Sequence, residues 1–334
     1  MRAEEALERA AEAGVHCLRI PTPFAVGRVN CYLIEDEPLT LVDTGPNSGK
    51  ALDELQGQLA ARGHSIDDLE LVIVTHQHID HLGLIEIIVE HSGAEVAAIG
   101  VAARRLANFR ADSEADDAFA AELMSMHGVP GQVVSVLRTV TASFRGWGAS
   151  AKVTRPLADG ERLAFAGREL QAFHRPGHSP SDTVFWDERR RILLAADHLI
   201  KHISSNPLLT RPLDGSPGRT RALVSYLDSL RATREMPAEI VLAGHGEPIT
   251  DHVALIDERL AKHERRKEKI HGLIAECPRT GYELAQAIWG NVAVTQAYLT
   301  LSEVIGHIDL LVDEGRVEER SEDGVIRYRA VGDG

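Results

Sequence analysis

Titratable side chains crowd the end of an apolar run near residue 75. The run LVIV occupies residues 71–74, and the stretch THQHIDH that follows it holds His76, His78, Asp80 and His81. Burying imidazoles and a carboxylate without partners costs on the order of several kcal/mol, so a compensating partner is expected. Neutral imidazole nitrogens and a carboxylate are ligands typical of zinc or a related divalent ion. The stretch therefore predicts a metal site.

Polar residues follow apolar runs in four other places. They are Asp43 after LTLV, His178 in RPGHSPSD, Asp197 after RILLAA and His245 in VLAGHGEPI. An α/β scaffold assembles a site from distant segments by gathering polar residues at the carboxyl ends of its strands. We expect these side chains to join those of the first stretch.

Composition narrows the class of protein. The chain has 334 residues, enough for one large domain and a small one. Its net charge of −14 argues against a broad nucleic-acid-binding face. Cys17, Cys31 and Cys277 are too widely spaced to predict a disulfide framework or a metal knuckle. No stretch approaches the roughly 20 apolar residues that cross a bilayer, and the charged opening MRAEEALERAAEAG is unlike a signal peptide. We expect a cytoplasmic protein that does not bind membranes.

Short apolar or alternating runs predict strands in two blocks. The first block is HCLRI, VNCYLIE, PLTLVDTG and LVIVT; the second is RLAFAGRELQAFHRPGH, TVFWD, RILLAAD and EIVLAGHG. Helical spacing predicts helices over residues 48–62 and in LGLIEIIVEHSG. Residues 101–150 read as a helical insert with a break at HGVPG. Strand blocks alternating with helices predict an α/β fold, a sandwich of two sheets with helices outside.

The strand signal disappears beyond about residue 257. Three helices are predicted in DERLAKHERRKEKIHGLIAE, TGYELAQAIWG and LSEVIGHIDLLVDEG, followed by a hairpin that turns at Asp323 and Gly324. We therefore expect a catalytic domain over residues 1–256, with its insert at about 101–150, and a small winged-helix-like domain over residues 257–334.

The motifs LVDTG, THxHxDH, PGHS, AD and GHGE, in that order, resemble those of the metallo-β-lactamase superfamily. Within it, they look like the glyoxalase II-like branch of dinuclear hydrolases. The resemblance covers roughly residues 15–255 and implies a four-layer αββα sandwich. The remaining tail resembles the winged helix that accompanies this domain in one subgroup.

The resemblance also implies two sets of three ligands, each set holding one divalent ion. The first set is His76, His78 and His178, and the second is Asp80, His81 and His245. Asp197 would bridge the two ions, and Asp43 would orient a ligand or the local backbone, as carboxylates behind a metal site commonly do. We expect zinc, although nitrogen and oxygen ligands also admit iron or manganese.

Paired divalent ions supply a hydrolytic mechanism that needs no Ser or Cys nucleophile. They lower the pKa of a shared water, clamp the oxygen of the attacked group and stabilise the leaving group. Asp80 is the candidate catalytic residue, because its carboxylate can orient the bridging hydroxide and pass on its proton.

The insert at 101–150 is a candidate lid over the metal cleft. Its Phe119, Leu123, Met124 and Met126 could line an acyl pocket, although such a stripe is more often core. An apolar lid favours a thioester of the acyl-CoA or acyl-glutathione type over a naked polyanion. We therefore expect a small-molecule ester or thioester substrate.

The most basic stretch of the chain is RLAKHERRKEK, residues 259–269. A charge run is usually a solvated helix face. The alternative is that Arg265, Arg266 or Lys269 grips the phosphates of coenzyme A or another anionic substrate tail.

Other functions remain open. A phosphodiesterase or ribonuclease, or a lactonase, could use the same ions. An iron oxygenase or flavin-linked di-iron reductase is disfavoured, since His78 stands where the resemblance gives such reductases a glutamate. A DNA-binding winged helix is disfavoured because its candidate recognition helix, LSEVIGHIDLLVDEG, has acidic residues and no Lys or Arg. We expect that module to serve for packing or for homodimer formation.

The other histidines carry weaker expectations. His198 and His202 lie near the site in sequence, and each could be only a packed or surface residue. We assign no functional role to seven more: His16, His64, His91, His252, His263, His271 and His307.

Overall fold

The structure is a computed structural model and describes residues 1–332. Residues 333 and 334, which the predicted C-terminal domain includes, lie outside the described part. The first sheet runs in the spatial order β1 (Val15–Ile20), β2 (Val29–Ile34), β3 (Thr40–Val42), β4 (Leu71–Ile73), β5 (Glu95–Ile99) and β6 (Arg155–Leu157). β1, β2 and β3 pair antiparallel, and β3 to β6 pair parallel.

The second sheet packs against the first. Its spatial order is β11 (Ile240–Ala243), β10 (Ile192–Ala196), β9 (Thr183–Asp187), β8 (Glu169–His174) and β7 (Arg162–Ala164). β10 and β11 pair parallel, and the other neighbours pair antiparallel. Apolar side chains from both sheets, among them Tyr32, Val42, Phe185 and Leu194, form the core between them.

Helices cover the outer faces of both sheets. α2 (Gly49–Ala60) and α4 (Ile85–Ser92) pack on the first sheet. α8 (Ala222–Arg234) and the start of α9 (His252–Glu276) pack on the second. The short α1 (Ala3–Glu12) buries Ala6 and Ala10 against the core between the sheets. The predicted α/β fold, with helices outside two sheets, is confirmed.

The segment 101–150 is helical, as predicted. It contains α5 (Ala103–Ala107), α6 (Phe109–Met126) and α7 (Gly131–Phe144). The predicted break at HGVPG separates α6 from α7. Leu123 and Met124 of α6 pack with Tyr282 and Leu301 of the C-terminal part. The insert is therefore joined to the end of the chain through an apolar contact.

The C-terminal part follows the predicted order of helices and hairpin. It consists of the distal half of α9, β12 (Arg279–Thr280), α10 (Gly281–Trp289), α11 (Val292–Thr295), α12 (Ala297–Asp313), β13 (Val317–Glu322) and β14 (Val325–Ala330). The hairpin turns at Asp323 and Gly324, which both have positive φ. The predicted domain boundary after residue 256 falls inside α9. Ile256 packs in the second sheet's outer core and Ile270 in the C-terminal core.

No helix within residues 1–332 is both long and apolar enough to span a membrane.

Candidate metal centre

Four segments bring the predicted ligands to one edge of the sandwich. His76 follows β4, Asp197 follows β10 and His245 follows β11. His178 lies in the loop between β8 and β9, and His78 immediately precedes the short helix α3 (Ile79–Leu82). The carboxyl ends of neighbouring parallel strands meet at one edge of a sheet, so residues far apart in sequence converge here.

The first predicted ligand set forms a compact group of nitrogens. His78 Nδ1 lies 3.1 Å from His76 Nε2 and 2.9 Å from His178 Nε2. Two nitrogens bound at a tetrahedral angle to one zinc ion lie about 3.3 Å apart. The spacing of these nitrogens suits one ion.

The second predicted set lies beside the first, and Asp197 lies between them. His245 Nε2 is 3.3 Å from Asp80 Oδ2 and 3.5 Å from Asp197 Oδ2. Asp197 Oδ1 is 3.4 Å from His81 Nε2, and Asp197 Oδ2 is 3.6 Å from His178 Nε2. One carboxylate thus faces both groups of histidines.

Buried atoms without partners test whether a cation fits. His81 Nε2, His245 Nε2 and Asp197 Oδ1 are buried and form no hydrogen bond. Such atoms are costly unless something compensates them, and a divalent ion would satisfy all three. The donor set therefore fits the implied metals, while the assignment of each ligand stays a prediction.

Hydrogen bonds on the far side of the rings fix the imidazole tautomers. His178 Nδ1 donates to the carbonyl of Asn206 at 3.0 Å, and His245 Nδ1 donates to the carbonyl of Arg28 at 2.9 Å. A carbonyl only accepts, so each Nδ1 carries the hydrogen. Each Nε2 therefore offers a lone pair to the centre.

Asp43 holds the second group in position. Its carboxylate accepts from the Thr75 backbone N–H at 2.9 Å and from the Thr75 hydroxyl at 2.8 Å. It also lies 2.7 Å from His81 Nδ1. Asp43 thus ties the loop after β4 to the ring of His81, which is the orienting contact that the sequence analysis expects of it.

The backbone around Asp197 is adapted to the crowded centre. Ala196 has φ of +43°, next to a register shift in β10. A left-handed conformation costs a residue other than glycine on the order of 1–3 kcal/mol. A Cβ at Gly244 would lie 2.2 Å from Asp197 Oδ1. Only glycine at this position leaves room for the carboxylate.

Burial and mutual charge set the protonation of the histidines. Burial, followed by the neighbouring His178, lowers the pKa of His78 to about 3. Burial and His81 likewise hold the pKa of His76 well below its usual range. Burial opposes the charged form of His81 too, but the carboxylates of Asp197 and Asp43 outweigh it and raise its pKa well above the usual value.

The carboxylates remain ionised despite being buried. Burial favours the neutral form of Asp197, yet His245 and His81 outweigh it and hold its pKa well below the usual value. His81 and His245 lower the pKa of Asp80 in the same way. The centre therefore offers anionic oxygens together with the neutral nitrogens of His76 and His78. Asp197 raises the pKa of His81 and of His245 against the effect of burial, so a divalent cation that binds these two imidazoles would release their protons.

A cavity of about 690 Å³ opens from this centre. Its inner wall includes His78, Asp80, His178, Asp197 and His245. The rest of its lining is mostly apolar and comes from the helical insert, the loop after β10 and the start of α12. Two residues of the predicted acyl-pocket stripe, Phe119 and Met124, line the cavity. Leu123 is instead buried in the core, and Met126 is exposed on the surface.

The predicted phosphate contacts lie elsewhere. Arg265, Arg266 and Lys269 do not line the cavity. Arg265 and Lys269 are exposed on α9. Arg266 contacts Glu303 Oε1 at 3.3 Å and lies over the ring of Trp289. Arg265 and Lys269 thus lie on a solvated helix face, and contact of these three residues with a substrate stays a prediction.

The two uncertain histidines also stay outside the ligand set. His198 is buried and its Nε2 lies 2.8 Å from the Thr233 hydroxyl. The ring of His202 lies close to Gly246. Sequence reasoning missed Thr75 and Asn206, whose roles are to hold Asp43 and His178. Thr75 directly precedes His76 and could have been noticed, but a supporting backbone carbonyl such as that of Asn206 has no sequence signal.

Comparison with known proteins gives a consistent picture. The sequence model described as "Metallo-beta-lactamase superfamily" matches residues 25–245. Among curated proteins, the "Probable metallo-hydrolase YqjP" of Bacillus subtilis (strain 168) is 33% identical over 320 residues, covering 95% of this chain and 98% of the relative.

Solved structures resemble the chain over nearly its whole length. A metallo-beta-lactamase family protein from Thermus thermophilus is 28% identical, with a TM-score of 0.77, and the match covers 95% of this chain and 99% of that one. A beta-lactamase domain protein from Burkholderia ambifaria is 25% identical, with a TM-score of 0.81 and coverage of 95% and 92%.

Asp43→Asn should weaken metal binding without unfolding the chain. The substitution removes a carboxylate oxygen that accepts from Thr75 and His81, and losing such a supporting contact typically lowers metal affinity about 10- to 100-fold. Competition with a chromophoric chelator measures the affinity. Asp187→Asn is the matched control, because Asp187 is also buried but pairs with Arg190 away from the centre. Equal affinities for wild type and Asp43→Asn would contradict the role of Asp43.

Proposed function

The chain belongs to the metallo-beta-lactamase superfamily, and on that premise we propose that it is a dinuclear metal-dependent hydrolase of acyl thioesters. Metal-dependent hydrolysis is supported by the 33% identical relative, which is named a probable metallo-hydrolase. We further propose a thioester substrate of the acyl-CoA or acyl-glutathione type and membership of the glyoxalase II-like branch.

His76, His78 and His178 would hold one ion, Asp80, His81 and His245 the other, and Asp197 would contact both. Zinc is the ion we propose. When bound, such ions supply Lewis-acid polarisation of the thioester carbonyl and a water of lowered pKa. Asp80 lies at the start of α3 with its carboxylate ionised. We assign it the task of orienting the attacking water and accepting its proton, which then passes to the departing sulfur.

The observation that carries the thioester proposal is the apolar cavity beside the centre. Its volume of about 690 Å³ lies within the range of roughly 300–1,000 Å³ that is usual for small-molecule sites. Phe109, Phe119, Leu137 and Phe144 from the insert contribute to its lining. An acyl chain would bury apolar surface there, while its carbonyl reached the ligand cluster. The mostly apolar lining offers few positive charges to neutralise the phosphates of a polyanion such as RNA.

Charges in the cavity wall are mostly compensated by each other. Arg105 pairs with Asp116, and Arg145 pairs with Asp117 at 2.7 Å. Arg138 differs, since it lines the cavity, is exposed and forms no ion pair or side-chain hydrogen bond within residues 1–332. We propose that Arg138, on α7, contacts the anionic part of the thiol carrier.

The C-terminal part is proposed as a winged-helix module that helps to build the cavity. Tyr298 and Leu299, at the start of α12, line the cavity. α12 is largely buried, and its Asp309 pairs with Arg219 at 2.6 Å. A buried helix cannot enter a DNA groove, which argues against a DNA-binding function. Homodimer formation remains a separate proposal.

A parallel substrate screen tests the proposed function. The metal-loaded protein is assayed against CoA thioesters, glutathione thioesters, lactones, bis-p-nitrophenyl phosphate and short RNA. We expect the highest kcat/KM on a thioester with an apolar acyl group, because the cavity is mostly apolar. Strong RNA or phosphodiester cleavage without thioesterase activity would overturn the proposal. A higher kcat/KM on lactones than on thioesters would also overturn it, in favour of a lactonase.

Asp80→Asn should lower kcat on the best substrate by roughly 100-fold or more, because the amide cannot accept a proton and is a weaker ligand. Circular dichroism and metal content are measured alongside the rate. Asp36→Asn is a control, since Asp36 pairs with Arg168 far from the cavity lining. Near-native turnover by a fully metallated Asp80→Asn variant would rule out the assigned role.

Arg138→Glu should raise KM for an acyl-CoA by about fivefold with little change in kcat. A remote contact acts on ground and transition states alike, and an exposed charge contributes modestly. The neutral N-acetylcysteamine thioester of the same acyl group should show no such change. Arg189→Glu, an exposed residue between β9 and β10, is the control variant. An equal effect on both thioesters would contradict the proposed contact.

A further inference from the structure

A second cluster of ligand-type side chains lies outside the metal centre. It joins His263 of α9 to Glu303 and His307 of α12, and one ligand atom from each lies within 4.8 Å of the others. His263 and His307 are buried, and Glu303 is partly buried. We propose that these side chains form an additional binding site for a divalent transition-metal ion of the zinc type, separate from the catalytic ions.

The spacing of the two ring nitrogens supports this site. His263 Nδ1 lies 3.2 Å from His307 Nε2. That distance is close to the roughly 3.3 Å that separates two nitrogens bound at a tetrahedral angle to zinc. It also matches the 3.1 Å between His76 Nε2 and His78 Nδ1 in the metal centre.

The tautomer of His307 is suited to binding. Its Nδ1 lies 2.6 Å from the backbone carbonyl of Glu303, which can only accept a hydrogen bond. His307 Nδ1 therefore carries the hydrogen, and Nε2 presents its lone pair toward His263. A carbonyl that fixes the far nitrogen is the usual support of a metal-binding histidine. The same arrangement holds His178 and His245 in the metal centre.

Both imidazoles are neutral and thus able to bind a cation. Burial, and after it the neighbouring His307, lowers the pKa of His263 to about 3. Burial also lowers the pKa of His307. With His307 Nδ1 protonated, His263 Nδ1 donates a hydrogen bond to His307 Nε2 at 3.2 Å. A bound metal ion would take the place of that hydrogen, which would move to the unpartnered His263 Nε2 without loss of a proton from the pair.

Glu303 supplies the anionic ligand. One carboxylate oxygen, Oε1, lies 3.3 Å from Arg266 Nη1, and the guanidinium of Arg266 lies over the ring of Trp289. Arg266 thereby holds the carboxylate in place. Ligating carboxylates are commonly supported by such a hydrogen bond. This contact gives Arg266 a different task from the substrate contact that its charge suggests.

A cavity borders the cluster on one side. A cavity of about 300 Å³ includes His263 in its lining, together with Leu227, Leu260 and Leu310. Zinc usually completes four ligands, and water takes the position that the protein leaves open. This cavity borders the cluster on the side of His263, whereas Glu303 and His307 are not part of its lining.

The position of the cluster suggests a stabilising task. Tyr226 of α8 has its ring centroid 6.2 Å from that of His263, nearly perpendicular to it. A Cβ at Gly177 would lie 2.4 Å from Tyr226 Cβ, so this tyrosine packs directly against the loop that carries His178. A metal ion between α9 and α12 would therefore fix the C-terminal part against the residues that support the catalytic centre.

Metal content of paired variants tests the site. The full chain is loaded with Zn²⁺, freed of excess by gel filtration, and analysed by inductively coupled plasma mass spectrometry. His307→Gln and Glu303→Gln should each bind one Zn²⁺ per chain fewer than the wild type. His252→Gln should match the wild type, since His252 is a buried histidine of α9 that pairs with the Met236 carbonyl instead.

The difference between wild type and variant does not depend on how many ions the catalytic centre holds. The additional site can therefore be disproved while the proposed function stands, and the proposed function can be disproved while the additional site stands. Unchanged zinc content in both correctly folded variants would overturn it. The wild type provides a test that needs no variant: zinc-edge anomalous density is expected between His263 and His307, and its absence in zinc-saturated crystals would also overturn it.

Discussion

A buried group of nitrogen and oxygen atoms that lack hydrogen-bond partners is the constraint on which the rest of the structure depends. His81 Nε2, His245 Nε2 and Asp197 Oδ1 are in this position within the described chain. A divalent cation is the partner that compensates such a set, because it replaces several missing hydrogen bonds at once. The crowding has a cost in the backbone, which appears as the positive φ of Ala196 and the obligatory glycine at position 244. These features make sense only if the side chains must converge.

The two-sheet sandwich makes that convergence possible. β3 and β4 run parallel in one sheet, and β10 and β11 run parallel in the other. Their carboxyl ends therefore open on the same edge, where loops supply the ligands and the insert supplies an apolar wall. The start of α12 closes another part of the wall. The C-terminal part thus contributes to the cavity wall, and a change in its packing against α6 should alter the shape of the cavity.

The convergence of the proposed ligands on one edge could be predicted from the sequence, because several of them lie at the ends of apolar runs and because the motifs occur in the order that the resemblance gives them. The assignment of each ligand to an ion stays a prediction. The helices of the insert and the hairpin turn at Asp323 were also readable from local patterns. Contacts between side chains far apart in the sequence could not be predicted. Arg266 looks like a free cation in its basic run, yet Glu303, 37 residues later, pairs with it. His263 and His307 likewise have no local motif, since their contact forms only when α9 packs on α12. The sequence analysis predicts no helix at α8, although Leu223, Tyr226, Leu227 and Leu230 give this helix an apolar face.

The dinuclear centre is the central claim, and a crystal structure of the zinc-loaded chain tests it most directly. Diffraction data collected on both sides of the zinc absorption edge locate each ion independently of the protein model. The account predicts one anomalous peak enclosed by His76, His78 and His178. It predicts a second enclosed by Asp80, His81 and His245, with the Asp197 carboxylate in contact with both. A single peak in this region of zinc-saturated crystals, or a peak that Asp197 does not contact, would contradict the account.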